Sequence, residues 1–527
     1  MAIGSRRTVP TLPSAAAVCS EPSVAPMNTP CCQSRACVTS GTVVTFKELE
    51  ERANRLAHHF RDAGLVEGDT VAVLMENNEH LPTVMWAARR SGLYYTVVST
   101  HLTPPEVGYI VDNSGAKAVI GSQAMRKICE GLAEHLPNGL PDLLLIADDD
   151  LEGWQRYPEC VADQPSTPID DEIEGDLLQY SSGTTGRPKG IRRELAHVPP
   201  ADAPNLVSAL LMAIQMSPDS IYLSPAPLYH TAPCLWTMSA QAMGVTTVVM
   251  SKFDPESALD AIQKYRVTSG QFVPAMFVRM LKLPEDVRNS YDISTLHRVV
   301  HAAAPCPVDI KKQMIAWWGP VVDEYYSSSE GAGITFISAD EWLKRPGSVG
   351  KPLLGVAHIL DENGNDLPHG QAGQIYFDLG VVQFVYHKDP EKTAESRDRH
   401  GWVTVGDVGY LDDDGFLFLT DRKHHMIISG GVNIYPQEAE NILITHPRVL
   451  DAAVFGIPDD DMGQSVKGVV QTVDPADATD EFGEELVGWL REQLAHYKCP
   501  RSVSFEAQLP RTDTGKLYKQ ELIKKYS

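Results

Sequence analysis

The sequence predicts an α/β protein with a large, multi-layered N-terminal domain of mostly parallel sheets and a small α+β C-terminal domain. Three observations lead to this prediction. From Val44 onward, short apolar runs alternate with helix-length segments, which is typical of parallel sheets covered by helices. Near residue 400 the pattern changes to hairpins and amphipathic helices. A chain of 527 residues is also long enough for more than one core.

The alternation can be followed along the chain. Apolar residues between Phe46 and Phe60 recur at helical spacing, and the run TVAVLM at 70–75 predicts a strand. Residues 79–91 return to a helical pattern. Further strands are predicted at 116–121, 142–147, 246–251 and 267–273.

The C-terminal part begins with a predicted β-hairpin over residues 402–422. Its turn is DDDG, so Asp412, Asp413 and Asp414 are expected to be turn residues rather than metal ligands. After Pro436 the sequence predicts a helix, the strands VLDAAVFG and VKGVVQTV, a helix over 480–495 and the strand SVSF. We therefore divide the chain into a loose leader (1–28), a large domain (29–421) and a small domain (422–527).

The charge balance argues against two classes of partner. The chain has 45 basic and 69 acidic residues, a formal net charge of −24, and it lacks a basic tract that could follow a nucleic-acid backbone. Nucleic acid and anionic membranes are therefore poor partners. No run of about 18 apolar residues predicts a transmembrane segment. The odd number of scattered cysteines, nine, favours a reduced, cytoplasmic protein.

The stretch YSSGTTGRPKG at 180–190 predicts a phosphate-binding loop. Its glycines, Gly183 and Gly186, are three residues apart and Lys189 is followed by glycine, so the Walker A spacing fails. Backbone N–H groups and hydroxyls can still surround a polyphosphate, and the lysine adds a positive charge. The hydroxyl residues of this loop are Ser181, Ser182, Thr184 and Thr185.

This stretch closely resembles the signature of the AMP-forming adenylating superfamily, which includes acyl-CoA synthetases, firefly luciferase and peptide-synthetase adenylation domains. The resemblance extends over roughly residues 40–527 and favours the fatty-acyl-CoA synthetase branch. Further segments resemble the family's motifs in the family's order: PLYHTAP (227–233), HAAAPCP (301–307), DEYYSSSEG (323–331), GWVTVGD (401–407), TDRKHHMIISGGVNIYPQEAE (420–440) and PRTDTGKLYKQEL (510–522).

The resemblance implies a set of nucleotide-binding residues. Tyr326 would lie against adenine, Ser329 near the α-phosphate, and Asp407 on the ribose, where a carboxylate can accept hydrogen bonds from both hydroxyls. Mg²⁺ would be held by Glu330 and Thr184. The other implied nucleotide contacts are Ser181, Ser182, Gly183, Thr185, Lys189, Ala303, Ala304 and Arg422. Serine replaces the family's glycine at Ser327, where it is expected to crowd the backbone, and its threonine at Ser329.

The resemblance also implies the residues for the acid and the thiol. His230 would border the acyl pocket, while Ala302 and Ala303 would line the end of its tunnel. Lys516 would be the catalytic lysine, acting with Glu330 and His230. The pantetheine arm of CoA would pass Ser429, Gly430 and Gly431.

The implied activity is that of an acyl-CoA ligase that uses ATP, Mg²⁺ and CoA on a hydrophobic acid, with a medium- or long-chain fatty acid as the first expectation. Small residues at 302–304 leave open a bulky cyclic acid, such as a steroid or bile-acid side chain or an aryl acid. A non-catalytic nucleotide-binding regulator is the third alternative. The expected partners are small molecules, and a homodimer is left open.

The resemblance also implies that the small domain is mobile about a hinge. His424 occupies the hinge position, where the family usually has aspartate or lysine. A histidine there could change its charge near neutral pH. The alternative is that His424 and the next residue, His425, are exposed linker residues without a role.

We expect Lys516→Ala to lower acyl-adenylate formation by on the order of 10²- to 10³-fold, because the lysine charge stabilises the first transition state. Thioester formation from supplied acyl-adenylate should be largely preserved. Pyrophosphate release and thioester formation, measured separately, check this. Equal losses in both half-reactions would contradict the assignment.

Overall fold

The computed structural model describes residues 35–39, 41–181, 188–203, 207–380, 384–422, 426–430, 432–459, 461–511 and 517–527. From Arg35 to Ser181 its elements are β1 (Arg35–Thr39), β2 (Thr42–Thr45), α1 (Phe46–Asp62), β3 (Thr70–Leu74), α2 (Leu81–Arg90), β4 (Tyr94–Val97), α3 (Pro104–Ser114), β5 (Ala116–Ser122), α4 (Arg126–Gly131), β6 (Leu143–Ala147), β7 (Gln155–Tyr157), β8 (Asp176–Leu177) and β9 (Gln179–Ser181). The predicted leader, 1–28, lies outside the described residues.

The middle of the chain supplies most of the large sheet. Its elements are β10 (Lys189–Arg192), α5 (Ser208–Ala213), β11 (Ile221–Ser224), α6 (Thr231–Ala242), β12 (Thr246–Val249), α7 (Pro255–Tyr265), β13 (Ser269–Phe272), α8 (Pro274–Leu281), α9 (Glu285–Arg288), β14 (Arg298–His301), α10 (Val308–Trp318), β15 (Val322–Tyr326), β16 (Ile334–Ile337), α11 (Ala339–Trp342), β17 (Ser348–Leu354), β18 (Val356–Leu360), β19 (Gly373–Asp378) and β20 (Val385–Tyr386).

The remaining elements complete the sheets and form the C-terminal unit. They are α12 (Pro390–Glu395), β21 (Asp407–Leu411), β22 (Leu417–Arg422), β23 (Ile427–Ser429), β24 (Val432–Ile434), α13 (Gln437–Leu443), β25 (Val449–Asp459), β26 (Gly463–Thr472), α14 (Asp480–Arg491), β27 (Ser502–Phe505) and α15 (Lys519–Tyr526). Among the described residues, no helix combines the length and hydropathy needed to cross a bilayer.

The first helix and strand form as the sequence pattern predicts. Thr45 and Glu48 make a capping box at the start of α1: the Thr45 N–H donates to Glu48 Oε2 at 2.8 Å, and the Glu48 N–H donates back to Thr45 Oγ1 at 3.2 Å. The apolar face of α1, which includes Leu56 and Phe60, is fully buried. The β3 strand is also buried along its whole length, as expected for a strand of a parallel sheet with both faces covered.

Two large sheets form the N-terminal part. One has six parallel strands in the order β7-β6-β5-β3-β4-β8. The other has thirteen strands in the order β18-β19-β21-β22-β17-β16-β15-β14-β13-β11-β12-β1-β2. In this order, the neighbouring strands from β1 through β12, β11, β13 and β14 to β15 are parallel to one another. The neighbouring strands from β15 through β16, β17, β22, β21 and β19 to β18 are antiparallel. The α/β prediction is confirmed.

The predicted hairpin over 402–422 is present in a shorter form. The β21 strand begins at Asp407, because residue 403 instead bridges to Phe377 and Arg397. The turn is held by Asp412, whose Oδ1 accepts the N–H groups of Asp414 and Phe416 at 3.0 and 2.8 Å. These aspartates are turn residues, as expected.

The C-terminal unit contains the predicted α13, β25, β26, α14 and β27. The long β25 and β26 strands pair antiparallel, and β27 adds to β26 in parallel. The predicted helix over 480–495 ends earlier, at Arg491, and a short 3₁₀ turn at His496–Lys498 follows. The unit has its own apolar core, centred on buried residues such as Val454 and Leu486. This agrees with a smaller second domain.

A buried charge cluster lies beneath the carboxyl ends of β14 and β15. Lys311, on α10, donates to Glu324 Oε2 at 2.7 Å, and the Lys311 side chain is completely buried. His301 Nε2 lies 3.4 Å from the same oxygen. Burial lowers the pKa of His301 well below its ordinary value, and the charge of Lys311 lowers it further, so this imidazole is neutral. The Lys311 ammonium also lies 4.7 Å from the Trp342 ring centroid.

We expect Lys311→Met to destabilise the protein by about 3–5 kcal/mol, because it leaves the Glu324 carboxylate buried without its partner. Lys312→Met is the matched control: the neighbouring lysine is half exposed and pairs with Asp309 at 3.9 Å, so its loss should cost about 0–1 kcal/mol. Urea denaturation followed by tryptophan fluorescence measures both. Equal effects of the two substitutions would show that the buried pair contributes nothing.

Candidate active site

The candidate site lies where parallel strands of the large sheet end. Strands β11, β13, β14 and β15 are neighbours and run in one direction, so the segments that follow them meet at one edge. In open α/β sheets this is where ligands bind. One hydrogen bond joins two of these segments directly: Thr231 Oγ1 donates to Ser329 Oγ at 2.8 Å.

The predicted adenine and ribose contacts are direct neighbours. Tyr326, at the end of β15, donates its hydroxyl to Asp407 Oδ2 at 2.6 Å. Asp407 is buried and begins β21, where it pairs in register with Arg422, the third predicted nucleotide contact. The side chain of Arg422 lies outside the described part of the structure. A small cavity beside Tyr326 is also lined by Gly333, Phe377 and Thr404.

The serine at position 327 makes a hydrogen bond of its own. Its hydroxyl donates to the Gly333 carbonyl at 2.8 Å. The side chain that replaces the family's glycine is thus held by a hydrogen bond to the loop between β15 and β16.

The predicted phosphate-binding loop lies in the chain between two antiparallel strands, β9 and β10. Ser181, the last residue of β9, lies opposite Lys189, the first residue of β10. The predicted contacts between them, Ser182, Gly183, Thr184 and Thr185, are outside the described residues. On its other side β10 pairs with β20, which carries Tyr386.

Tyr386 is a site residue that the sequence reasoning missed. Its hydroxyl donates to Glu330 Oε1 at 2.9 Å, and the Lys189 ammonium lies 5.5 Å from the centroid of its ring. The structure thereby brings together Lys189 and Glu330, two predicted ligand contacts that are far apart in the sequence. Tyr386 lies in a strand of only two residues, which is too short to give a periodic signal.

The single carboxylate of Glu330 is a suitable ligand for Mg²⁺ that is bound together with nucleotide phosphates. Across the described ranges, no group of three or more His, Cys, Asp or Glu side chains is placed to hold a metal ion. Mg²⁺ does not need such a group, because proteins usually bind it through one or two carboxylates and the substrate phosphates. Glu330 is half-buried, and its bond to Tyr386 uses Oε1 rather than Oε2.

The three alanines at 302–304 occupy different surroundings. Ala302 is buried in an apolar cluster with Trp236 and Tyr325, Ala304 is half-buried, and Ala303 is exposed. Ala303 has φ = 73°, in the left-handed region that favours glycine. The backbone thus turns sharply at Ala303.

His230 precedes the first residue of α6 and is half-buried. Its ring centroid lies 4.5 Å from that of Tyr229, and the next residue, Thr231, makes the bond to Ser329. His230 is therefore close to the segment that carries the predicted α-phosphate contact.

The predicted residues of the small domain are only partly described. Ser429 is buried at the end of β23, and the Gly430 N–H donates to the Met462 carbonyl at 2.9 Å. Gly430 adopts φ = 56°, so it is a turn position suited to glycine. Gly431, the hinge candidate His424 and the predicted catalytic lysine, Lys516, lie outside the described residues.

Comparisons with known proteins identify the family. Residues 26–380 match the AMP-binding enzyme family, and residues 438–516 match the AMP-binding enzyme C-terminal domain. A feruloyl-CoA synthase from Amycolatopsis sp is 33% identical, with 92% of this chain and 94% of that protein covered. The long-chain-fatty-acid–CoA ligase FadD13 from Mycobacterium tuberculosis is 30% identical, with 92% and 93% covered.

Solved structures agree as well. The amide bond synthetase McbA from Marinactinospora thermotolerans has a TM-score of 0.79 and 26% identity, with 94% of this chain and 97% of that chain covered. The family's CoA ligases use ATP, Mg²⁺ and CoA. Because the family matches cover most of the sequence and a relative of 33% identity spans 92% of it, the chain belongs to the AMP-binding enzyme family, as an AMP-forming acid–CoA ligase.

Proposed function

We propose that the acid activated by this ligase is a compact aryl acid, of the class that includes hydroxycinnamates. The observation that carries the proposal is the hydrogen bond from Trp236 Nε1 to the Tyr325 hydroxyl, at 3.1 Å. This pair is on the same elements as residues proposed for adenylation: α6 begins at Thr231 and carries Trp236, and Tyr325 directly precedes Tyr326 in β15.

The Trp236–Tyr325 pair belongs to a buried apolar cluster that also contains Ala302 and Tyr222. Both rings are buried, their centroids are 5.7 Å apart, and Tyr222 stacks on Trp236 at 6.2 Å. A long alkyl chain would have to displace these rings, and packed cores resist such overfilling. An aryl ring can instead pack against their edges and faces. The similarity to feruloyl-CoA synthase supports the same choice.

A medium- or long-chain fatty acid is the second candidate. It is supported by the similarity to FadD13 and by the exposed Ala303, beside which a flexible chain could pass. A panel of ferulate, benzoate, octanoate and palmitate, assayed by pyrophosphate release with and without CoA, distinguishes the two. We expect at least ~10-fold higher kcat/KM for an aryl acid, a typical range for discrimination by an apolar pocket. A preference for octanoate or palmitate would favour the second candidate.

The chemistry requires two anions to meet. The acid's carboxylate attacks the α-phosphorus of ATP, and negative charge develops as pyrophosphate leaves. In our proposal Tyr326 and Asp407 hold the nucleoside, Lys189 faces the outer phosphates, and Thr231 and Ser329 lie beside the reacting group. Mg²⁺ bound with the phosphates near Glu330 supplies charge neutralisation. Positioning and neutralisation then account for most of the rate.

The second half-reaction needs a different set of residues. We propose that residues 422–527 form the small domain, that Lys516 serves adenylation, and that Ser429–Gly431 border the pantetheine arm. The CoA thiolate attacks the carbonyl of the acyl-adenylate and AMP leaves. A thiolate is a much better nucleophile than water, which favours the thioester over hydrolysis.

We expect Trp236→Leu to raise kcat/KM for octanoate by at least ~10-fold, because a smaller side chain opens the end of the pocket. Trp342→Leu is the control, since Trp342 is an equally buried tryptophan that belongs to the core beside Lys311. Both variants should lose stability through the cavity, so thermal midpoints are measured alongside the acid panel. An unchanged acid profile in the Trp236 variant would remove this residue from the pocket wall.

We expect Asp407→Asn to raise the KM for ATP by about 10- to 100-fold, because hydrogen bonds to a charged acceptor contribute about 1.5–3 kcal/mol. The KM for the acid should change little. Asp412→Asn, in the turn of the same hairpin, should leave both constants unchanged, since an amide oxygen can accept the same two N–H groups. Steady-state kinetics with each substrate varied decide the matter, and an unaltered KM for ATP would place the ribose elsewhere.

A further inference from the structure

Tyr386 is fixed between two parts of the candidate site. It pairs with Ile191 across β20 and β10, and the N–H of the next residue, His387, donates to the Gly190 carbonyl at 2.7 Å. On its other side, the Tyr386 N–H donates to Thr393 Oγ1, on α12, at 2.9 Å. The backbone of Tyr386 is therefore held from two directions, which is how a functional side chain is kept in one geometry.

The side chain of Tyr386 contacts both charges of the site. Its hydroxyl donates to Glu330 Oε1, and its ring lies 5.5 Å from the Lys189 ammonium. A cation over an aromatic ring is attracted by the electrons of the ring face. A single side chain thus contacts the carboxylate proposed for Mg²⁺ and the cation proposed for the outer phosphates.

We infer that Tyr386 is a positioning residue for MgATP, which orients the Glu330 carboxylate through its hydroxyl and holds the Lys189 ammonium against its ring. The inference rests on the proposed roles of Glu330 and Lys189. It assigns two separable functions to one side chain, because the hydroxyl acts on the metal side and the ring acts on the phosphate side.

The hydroxyl is suited to this role because it stays protonated. A phenol is protonated at neutral pH and therefore donates to a carboxylate. Its bond occupies Oε1 of Glu330 and orients Oε2 for a second partner. Partners of this kind, one step removed from the metal, typically alter metal affinity 10- to 100-fold when they are lost.

The test compares Tyr386→Phe, which keeps the ring, with Tyr386→Leu, which removes it. Tyr291→Phe is the matched control: Tyr291 also donates to a glutamate, Glu256, at 2.9 Å, but at the surface away from the site. Three quantities are measured: the Mg²⁺ concentration that gives half-maximal ATP–pyrophosphate exchange, the dissociation constant of MgATP by calorimetry without acid, and the thermal midpoint of the free protein.

For Tyr386→Phe we expect an increase of about 10-fold in the half-maximal Mg²⁺ concentration and weaker MgATP binding, with an unchanged KM for the acid. Tyr386→Leu should in addition raise the KM for ATP, since Lys189 loses its ring contact. Tyr291→Phe should match wild type. If Tyr386→Phe stays within twofold of wild type in both Mg²⁺ dependence and MgATP binding, Tyr386 is not a positioning residue.

The design keeps this inference separate from the choice of acid. If wild type exchanges pyrophosphate with none of the aryl acids, the substrate proposal fails, and calorimetry with MgATP still tests Tyr386. A lower thermal midpoint of Tyr386→Phe, with unchanged MgATP affinity, would assign the residue a purely structural role and overturn the inference.

Discussion

The ion pair between Lys311 and Glu324 is the constraint on which the site depends. Two buried charges are tolerated only when each satisfies the other, so α10 and β15 cannot move apart without a large cost. His301 lies opposite Glu324 in the pairing of β14 with β15, and its neutral imidazole approaches the same carboxylate. The segments that leave these strands, at Ala302 and at Tyr326, therefore begin from fixed positions.

Three sheet regions supply different parts of the site. The parallel half of the large sheet delivers the segments that carry Ala302 and Ser329. Its antiparallel half delivers Asp407, which reaches Tyr326 through a 2.6 Å bond. The small sheet β20-β10-β9 delivers Lys189 and Tyr386. The described residues of the candidate site therefore come from all three regions.

Sequence reasoning predicted the elements whose signal is local. The buried run of β3 and the amphipathic α1 are visible in the spacing of apolar residues, and the motif segments mark Tyr326, Glu330 and Asp407. The contacts between them could not be predicted, because Tyr326 and Asp407 are 81 residues apart and are joined by strand order rather than by pattern.

Other site features had no readable signal. Tyr386 lies in a two-residue strand, and Trp236 looks like any apolar residue of a buried helix until its indole is seen to meet Tyr325. The left-handed backbone at Ala303 has no local signal either, because alanine does not favour a positive φ. Such features depend on tertiary packing, which overrides local propensity.

The strand order of the large sheet also decides when the protein can fold during synthesis. β1 pairs on one side with β2, which follows it directly in the chain, and on the other side with β12, about 200 residues later. β17 likewise pairs with β22, which lies more than sixty residues later in the chain and ends at Arg422. Pairings this distant are slow to form, and a growing chain exposes unpaired strand edges until they do. The chain must therefore be synthesised as far as Arg422 before the large sheet can be completed, and until then strand edges that will later be paired stay open.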